Sequence, residues 1–285
     1  MSPCRAESRD LSRPESRGLW AARAAIVAAL LPALPLAWML VASVAPEARL
    51  FEARGLWRGP FVLDHYRALF HERSFWIPIR NSLVVASATT LLAVTLGGAC
   101  AYALARMSFR GRHVLLAFVL AVSMFPQISL VAPMFFVLRS VGLINTYPGL
   151  VFPYLTFAMP LTIWLLVGYF RQLPADLEEA AAIDGANRWR ILTEIVAPIA
   201  WPGIATTAIL TFVYCWNEFL FALSFTLGPE RHTVPVAIAL FRGQYQVPWG
   251  QVLAAAVVAT LPVIVLVLVF QRRIVQGLTA GAVKG

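Results

Sequence analysis

Long runs without a single Asp, Glu, Lys or Arg constrain this chain more than any other feature. Six occur, at residues 24–46, 81–105, 114–138, 140–170, 195–217 and 243–271. A helix that crosses the hydrocarbon core of a bilayer needs about 20 mostly apolar residues, and each run supplies them. Backbone amides in lipid must be satisfied within the spanning structure, so only helices or closed barrels can span. A barrel would show alternating segments of about 10 residues, and these runs do not alternate. The sequence therefore predicts an all-α polytopic membrane protein with six transmembrane helices, near 24–44, 82–104, 114–137, 149–170, 201–225 and 251–270. Composition agrees: 60% of residues are hydrophobic and only 13% charged, where a soluble domain carries about 25% charge.

The charges that remain predict orientation. The net charge is +9, from 22 arginines and the single Lys284 against 14 acidic residues. With six spans both termini face the same side. If that side is cytoplasmic, inner segments hold 14 of the basic residues and outer segments nine, the bias of the positive-inside rule. Arg106, Arg110 and Arg112 in one short loop, and Arg272 and Arg273 after the last run, carry it most clearly. The basic excess is thus read as orientation and attraction to anionic lipid, with no nucleic-acid partner. The first run exceeds the 7–15 apolar residues of a signal peptide and is read as an anchor. Expected organisation is a cytoplasmic N-terminal arm at 1–23, a six-helix domain at 24–270 and a cytoplasmic tail at 271–285, in the inner (plasma) membrane. Cys4, Cys100 and Cys215 lie far apart and show no disulfide or metal-ligand spacing.

Punctuation along the chain predicts local detail. The stretch 45–80 reads as an outer loop with aromatic residues at headgroup level (Phe51, Trp57, Phe61, Tyr66, Phe70, Phe75, Trp76) and room for a short interfacial helix. Pro126 and Pro133 predict a kink in the third span, and 142–146 an outer turn. The halves of the chain show no repeat of the kind common in secondary transporters.

The stretch 171–198 between the fourth and fifth runs is the most informative. It reads as two short helices with a break. Pro174 suits a first helical turn, and Asp176, Glu178 and Glu179 complement the positive end of a helix dipole. Leu177, Ala180, Ala181 and Asp184 share one small, weakly apolar face. Gly185 suits the turn between the helices. Trp189, Leu192, Ile195 and Val196 form the apolar stripe of the second helix, and Pro198 closes it. The loop carries three arginines against five acidic residues, so an anionic membrane surface would repel it. Docking to a protein, or a plain interfacial connector, are the readings left by composition.

Glu179-Ala180-Ala181, with Gly185 four residues on and then Ile195 and Pro198, resembles the EAA loop of membrane subunits of binding-protein-dependent ABC importers. The family usually has Leu before the final Pro, where this chain has Ala197. Asn81-Ser82-Leu83, the run Tyr102 to Arg106, Trp216-Asn217-Glu218-Phe219 and the tail 277–285 are similar to the carbohydrate-uptake, maltose-permease-type branch. The resemblance implies that 171–198 is a coupling loop seated in a cleft of a cytoplasmic ABC ATPase subunit, with Glu179 a polar contact and Gly185 a hinge. It implies further partners: a second related permease forming a heterodimer, an extracytoplasmic solute-binding protein contacting the last outer loop at 229–251, and membrane lipid. The tail would reach into the ATPase pair.

No enzymatic activity and no cofactor are expected of the chain itself. A P-loop needs Lys followed by Ser or Thr. The one lysine is followed by Gly285, so ATP is expected on the partner. Asn217 and Glu218 fall within the predicted fifth span. A carboxylate there is costly and faces a cavity or a partner, so Glu218 is either on a translocation pathway or an acceptor between helices. Trp216 and Phe219 either stack on sugar rings or pack. A stand-alone secondary transporter or channel, and a scaffold protein, are the competing classes.

Overall fold

The computed structural model describes residues 23–52 except 24 and 29, residues 59–241 and residues 247–280, with side chains as far as 271. The expected arm before residue 23, Trp57 and the last five residues lie outside them. In chain order the helices are α1 (Ala33–Ser43), α2 (Asp64–His71), α3 (Trp76–Arg106), α4 (Arg112–Ser123), α5 (Gln127–Ser140), α6 (Pro148–Gln172), α7 (Asp176–Ile183), α8 (Arg188–Ile199), α9 (Trp201–Trp216), α10 (Leu220–Phe225), α11 (Val234–Ala239) and α12 (Trp249–Ala280). Among the described residues no strand occurs. Helix α2 is the short helix expected in the loop 45–80.

The uncharged runs become helices of three kinds. Helices α3 and α6 and residues Trp249–Gln271 of α12 are each long and apolar enough to cross a membrane unbroken. Two more runs are bent pairs: α4 and α5 meet at 94°, α8 and α9 at 83°. The first run is interrupted by a turn at Leu31 and Pro32, which leaves α1 with 11 residues.

The breaks follow from proline and glycine chemistry. Pro126 stands extended, at φ −63° and ψ 121°, and starts α5 rather than continuing α4. It has no N–H to give the preceding turn, and it disfavours helical backbone in the residue before it. The expected kink is therefore a full break. Pro133, Pro153 and Pro160 are carried inside helices, as membrane helices allow where neighbours satisfy the freed carbonyls. Gly111 starts α4 at φ +90°, and Gly142 turns the chain after α5 at φ +70°.

Helices α3 and α6 form the central pair, with α9 packed on both and α12 on α9 and α1. Ala93, Gly97, Ala101 and Ala105 recur every fourth residue of α3, and all are buried. A Cβ on Gly97 would lie 3.3 Å from Thr162 Cγ2 of α6, so the seam depends on small residues, as membrane helix contacts commonly do. Exposed apolar side chains concentrate elsewhere, on α4 (Val114, Phe118) and α12 (Val265, Leu268). In water such a surface would be a liability; on a membrane protein it faces lipid or another apolar partner. The aromatic belt expected at 45–80 is only partly exposed. Phe51, Phe61, Phe70 and Trp76 face outward, whereas Phe75 is buried, edge-on to Phe241 at 5.8 Å.

Candidate functional site

The loop 171–198 folds as a helical hairpin at the end of the bundle where α3 and α6 finish. Helix α7 begins at Asp176, with Asp176, Glu178 and Glu179 in its first turn. Pro174, expected within that turn, lies just ahead of it. The chain then reverses at Gly185, whose φ of +85° is left-handed backbone that costs a side-chain-bearing residue about 1–2 kcal/mol. Asn187 caps α8 by accepting from the Arg190 N–H at 2.8 Å.

Two details differ from the expected hairpin. Pro198 does not close the second helix; α8 runs through it to Ile199 and the bend falls at Ala200. Just before it, Ile191–Val196 is wound as π-helix. The wider turns accommodate a ring that would crowd the preceding carbonyls of an α-helix. The apolar stripe is also rotated: Ile191 and Val196 are buried, while Trp189 is 68% exposed.

The hairpin has two faces. Ala181, Ile191 and Val196 sink into a cluster with Tyr102 and Leu104 of α3 and Leu166 and Phe170 of α6. The opposite face presents Glu179, Ala180, Asp184, Gly185 and Pro198, with Ile195 half-buried. Leu177, Ile183 and Trp189 are exposed beside them. The expected small face of Leu177, Ala180, Ala181 and Asp184 is therefore divided: Leu177, Ala180 and Asp184 lie outward, and Ala181 is buried against the bundle.

The residue that anchors the hairpin is one the motif does not name. Glu178 is 7% exposed. Its Oε2 accepts from the Tyr102 hydroxyl at 2.9 Å. Its Oε1 stands 2.8 Å from Arg106 Nε, an ion pair by distance whose N–H is not aligned for a hydrogen bond. Arg106 Nη2 donates to the Leu173 carbonyl at 2.5 Å. A sequence signal existed: Glu178 stands three residues before buried Ala181, on one helix face, and Arg106 ends a charge-free run.

The fifth span, expected as one helix over 201–225, stops at Trp216 and restarts as α10. Glu218 explains this. Its carboxylate accepts from the backbone N–H groups of Phe221 at 2.8 Å and Ala222 at 3.1 Å. It thereby satisfies the free N–H groups of a new helix and complements its dipole. Trp216 is buried, stacks on Phe212 at 5.9 Å and donates to the Ala259 carbonyl of α12 at 3.2 Å. Asn217 is exposed and returns its amide to the Val213 carbonyl at 2.8 Å. Phe219 is 38% exposed. The four residues therefore split: Trp216 and Glu218 hold the break, and Asn217 and Phe219 face outward.

At the other end of α3, buried Asn81 donates to the carbonyls of Glu230 and His232, both at 2.9 Å. It accepts from the Tyr147 hydroxyl at 2.8 Å. Ser82 Oγ accepts from the Val234 N–H at 2.8 Å. Asn145 donates to Glu230 Oε1 at 2.8 Å, which holds that carboxyl below its usual range. Burial likewise holds His232 below its usual range. Glu47 meanwhile accepts from the N–H groups of Trp249 and Gly250 at the start of α12, at 2.8 and 2.9 Å. Among the described residues no cluster of His, Cys, Asp and Glu suited to a metal ion occurs.

Known proteins resemble this chain along nearly its whole length. It is 44% identical, over 92% of its own length and 95% of the relative's, to the trehalose/maltose transport system permease protein MalG of Thermococcus litoralis. It is 45% identical, over 88% and 92%, to the trehalose transport system permease protein SugB of Mycobacterium tuberculosis. Its fold matches a membrane chain of a bacterial ABC transporter that imports the polysaccharide alginate, with TM-score 0.76, 23% identity and coverage of 95% and 99%. The model of the binding-protein-dependent transport system inner membrane component matches residues 93–280, a range that takes in the hairpin, its anchor at Tyr102 and Arg106, and the break at Glu218. The chain belongs to that family of ABC importer permeases, in its maltose-permease-like branch.

Proposed function

We propose that the chain is a membrane-spanning subunit of an ATP-driven, binding-protein-dependent importer for a sugar or sugar-like solute. The observation that carries the reading is the two-faced hairpin α7–α8. One face is locked into the bundle through Glu178, Ala181, Ile191 and Val196, and the other presents Glu179, Ala180, Gly185 and exposed Ile183 and Trp189. A surface of small residues lets another protein approach closely, and apolar side chains beside it supply contact energy. The docked partner is an ABC ATPase subunit, whose closure pushes the hairpin and rocks the bundle between inward-open and outward-open states. ATP is bound there and not on this chain. The hairpin and both termini are then cytoplasmic, and the loop pinned by Asn81 faces the solute-binding protein. The apolar faces of α4 and α5 meet lipid and a second, related permease in a heterodimer. The names of the relatives, trehalose and maltose systems among them, support a saccharide as the solute.

The test is uptake by the complete assembly in liposomes. Gly185→Arg places a large side chain where φ is +85° on the docking face. It is expected to leave assembly intact and to separate ATP hydrolysis from uptake. Uptake at the wild-type rate in that variant, or uptake driven by an ion gradient without ATP, overturns the reading.

A further inference from the structure

The motif Tyr102 to Arg106 closes α3, and neither residue belongs to the docking face of the hairpin. Both converge on Glu178. The neighbouring carboxylates of α7 have opposite surroundings: Glu179 is exposed, and Glu178 is 7% exposed. The two oxygens of Glu178 are divided between Tyr102 at 2.9 Å and Arg106 at 2.8 Å. Arg106 reaches in a second direction, to the carbonyl of Leu173 at the end of α6. One carboxylate and one guanidinium thus join the first helix of the hairpin to the ends of the two central helices.

A buried ion pair is a poor way to gain stability, because an apolar pair of the same shape stabilises as well or better. Its distinctive property is direction. Apolar packing resists separation only in proportion to the area it buries, whereas a charged pair bonds two named groups in a fixed direction. The contact of α7 with the bundle is otherwise small, with Ala181 its one other buried side chain. Without Glu178, α7 would touch the bundle through Ala181 alone, and the hairpin would keep only the apolar contacts of Ala181, Ile191 and Val196 with α3 and α6.

We infer that Glu178, Arg106 and Tyr102 form a tie that carries movement of α7 into α3 in both directions, so that Glu178 and Arg106 are positioning residues for coupling. This rests on the coupling role proposed above. The Glu178–Arg106 pair differs in kind from the other ion pair of the hairpin. Arg190 and Glu194 lie 2.7 Å apart on a single helix with both side chains more than half exposed, so they connect nothing to the bundle.

The experiment compares ATP hydrolysed per solute delivered in liposomes holding the complete transporter. Glu178→Gln keeps the shape and an acceptor for Tyr102 but removes the charge. It is expected to hydrolyse ATP while solute delivered per ATP falls on the order of tenfold, within the usual range of coupling energies. The exchanged pair Glu178→Arg with Arg106→Glu restores part of the ratio, and Arg190→Ala leaves it unchanged. A wild-type ratio in Glu178→Gln overturns the tie. Should that variant fail to assemble, Tyr102→Phe, which deletes one hydroxyl and spares the ion pair, carries the test: a lowered ratio supports the tie and an unchanged one overturns it. Gly185→Arg, measured in parallel, separates the two ideas. If it alone uncouples, the docking reading stands and the tie falls; if it too keeps the wild-type ratio, the docking reading itself falls.

Discussion

The two ends of α3 hold their neighbours in different ways. Near its start, Asn81 and Ser82 grip the segment 230–234 through backbone carbonyls and an N–H group, with neutral bonds of 2.8–2.9 Å. At its finish, Tyr102 and Arg106 grip α7 through one side chain, Glu178, and the bond is charged. The ends lie about 25 residues apart, or roughly 37 Å along a helix. A backbone grip fixes the path of a loop whatever side chains it displays. It leaves Arg231 free to lie over the Tyr147 ring at 4.4 Å. A side-chain grip between charges fixes one residue to one partner and resists pulling. The first suits a platform, the second a lever.

The variant expected to disturb this contrast most is Arg106→Ala. It leaves Glu178 buried without its countercharge, a loss of about 3–5 kcal/mol in comparable sites, read as a lowered unfolding temperature of the purified chain. The double variant Arg106→Ala with Glu178→Leu should recover most of that stability while remaining uncoupled. Recovery of coupling along with stability would make the charged end no different in kind from the neutral one.

Asn81→Ala comes next. It removes four hydrogen bonds of a fully buried side chain, with an expected cost of about 1–3 kcal/mol. Amide exchange should quicken at 227–234, and stimulation by the binding protein should weaken, while ATP per solute stays at the wild-type value. A changed ratio would mean that the two ends of α3 act as one device.

The smallest effect is one of pH. The Asn145 amide holds the Glu230 carboxyl below its ordinary value. The bond therefore contributes in full above the ordinary carboxylate range, and its contribution fades as pH falls through the depressed value. Protection from exchange at 227–232, relative to the intrinsic rate at each pH, should fall more on acidification in the wild type than in Asn145→Ala. Equal acid responses would show that this bond does not shape the platform.

Much of this architecture was legible beforehand because lipid leaves few alternatives. Each uncharged run produced helix, and Gly185 fell at the turn of the hairpin because few residues tolerate its backbone. What escaped were matters of facing. Trp189 was expected inward and Ile191 lies there instead, since a π segment shifts the phase of the stripe that an α-helical reading assumes. The fifth span was expected to run past residue 217. It breaks there, and the Glu218 carboxylate accepts from the Phe221 and Ala222 N–H groups at the start of the next helix, which carbonyls four residues earlier would satisfy in an unbroken one. Composition cannot report such a side-chain choice.

By itself the sequence determined the solvent, the class of structure, the family and the position of the hairpin. Those depend on local quantities: the length of apolar runs, the sites of proline and glycine, and the spacing of a motif. Only the tertiary structure decided which of two adjacent glutamates is buried, that its partners lie 76 and 72 residues earlier at the end of α3, and that Asn81 reaches a loop 149 residues away. Burial and charge pairing are relations between distant segments, and they exist only once the chain has packed.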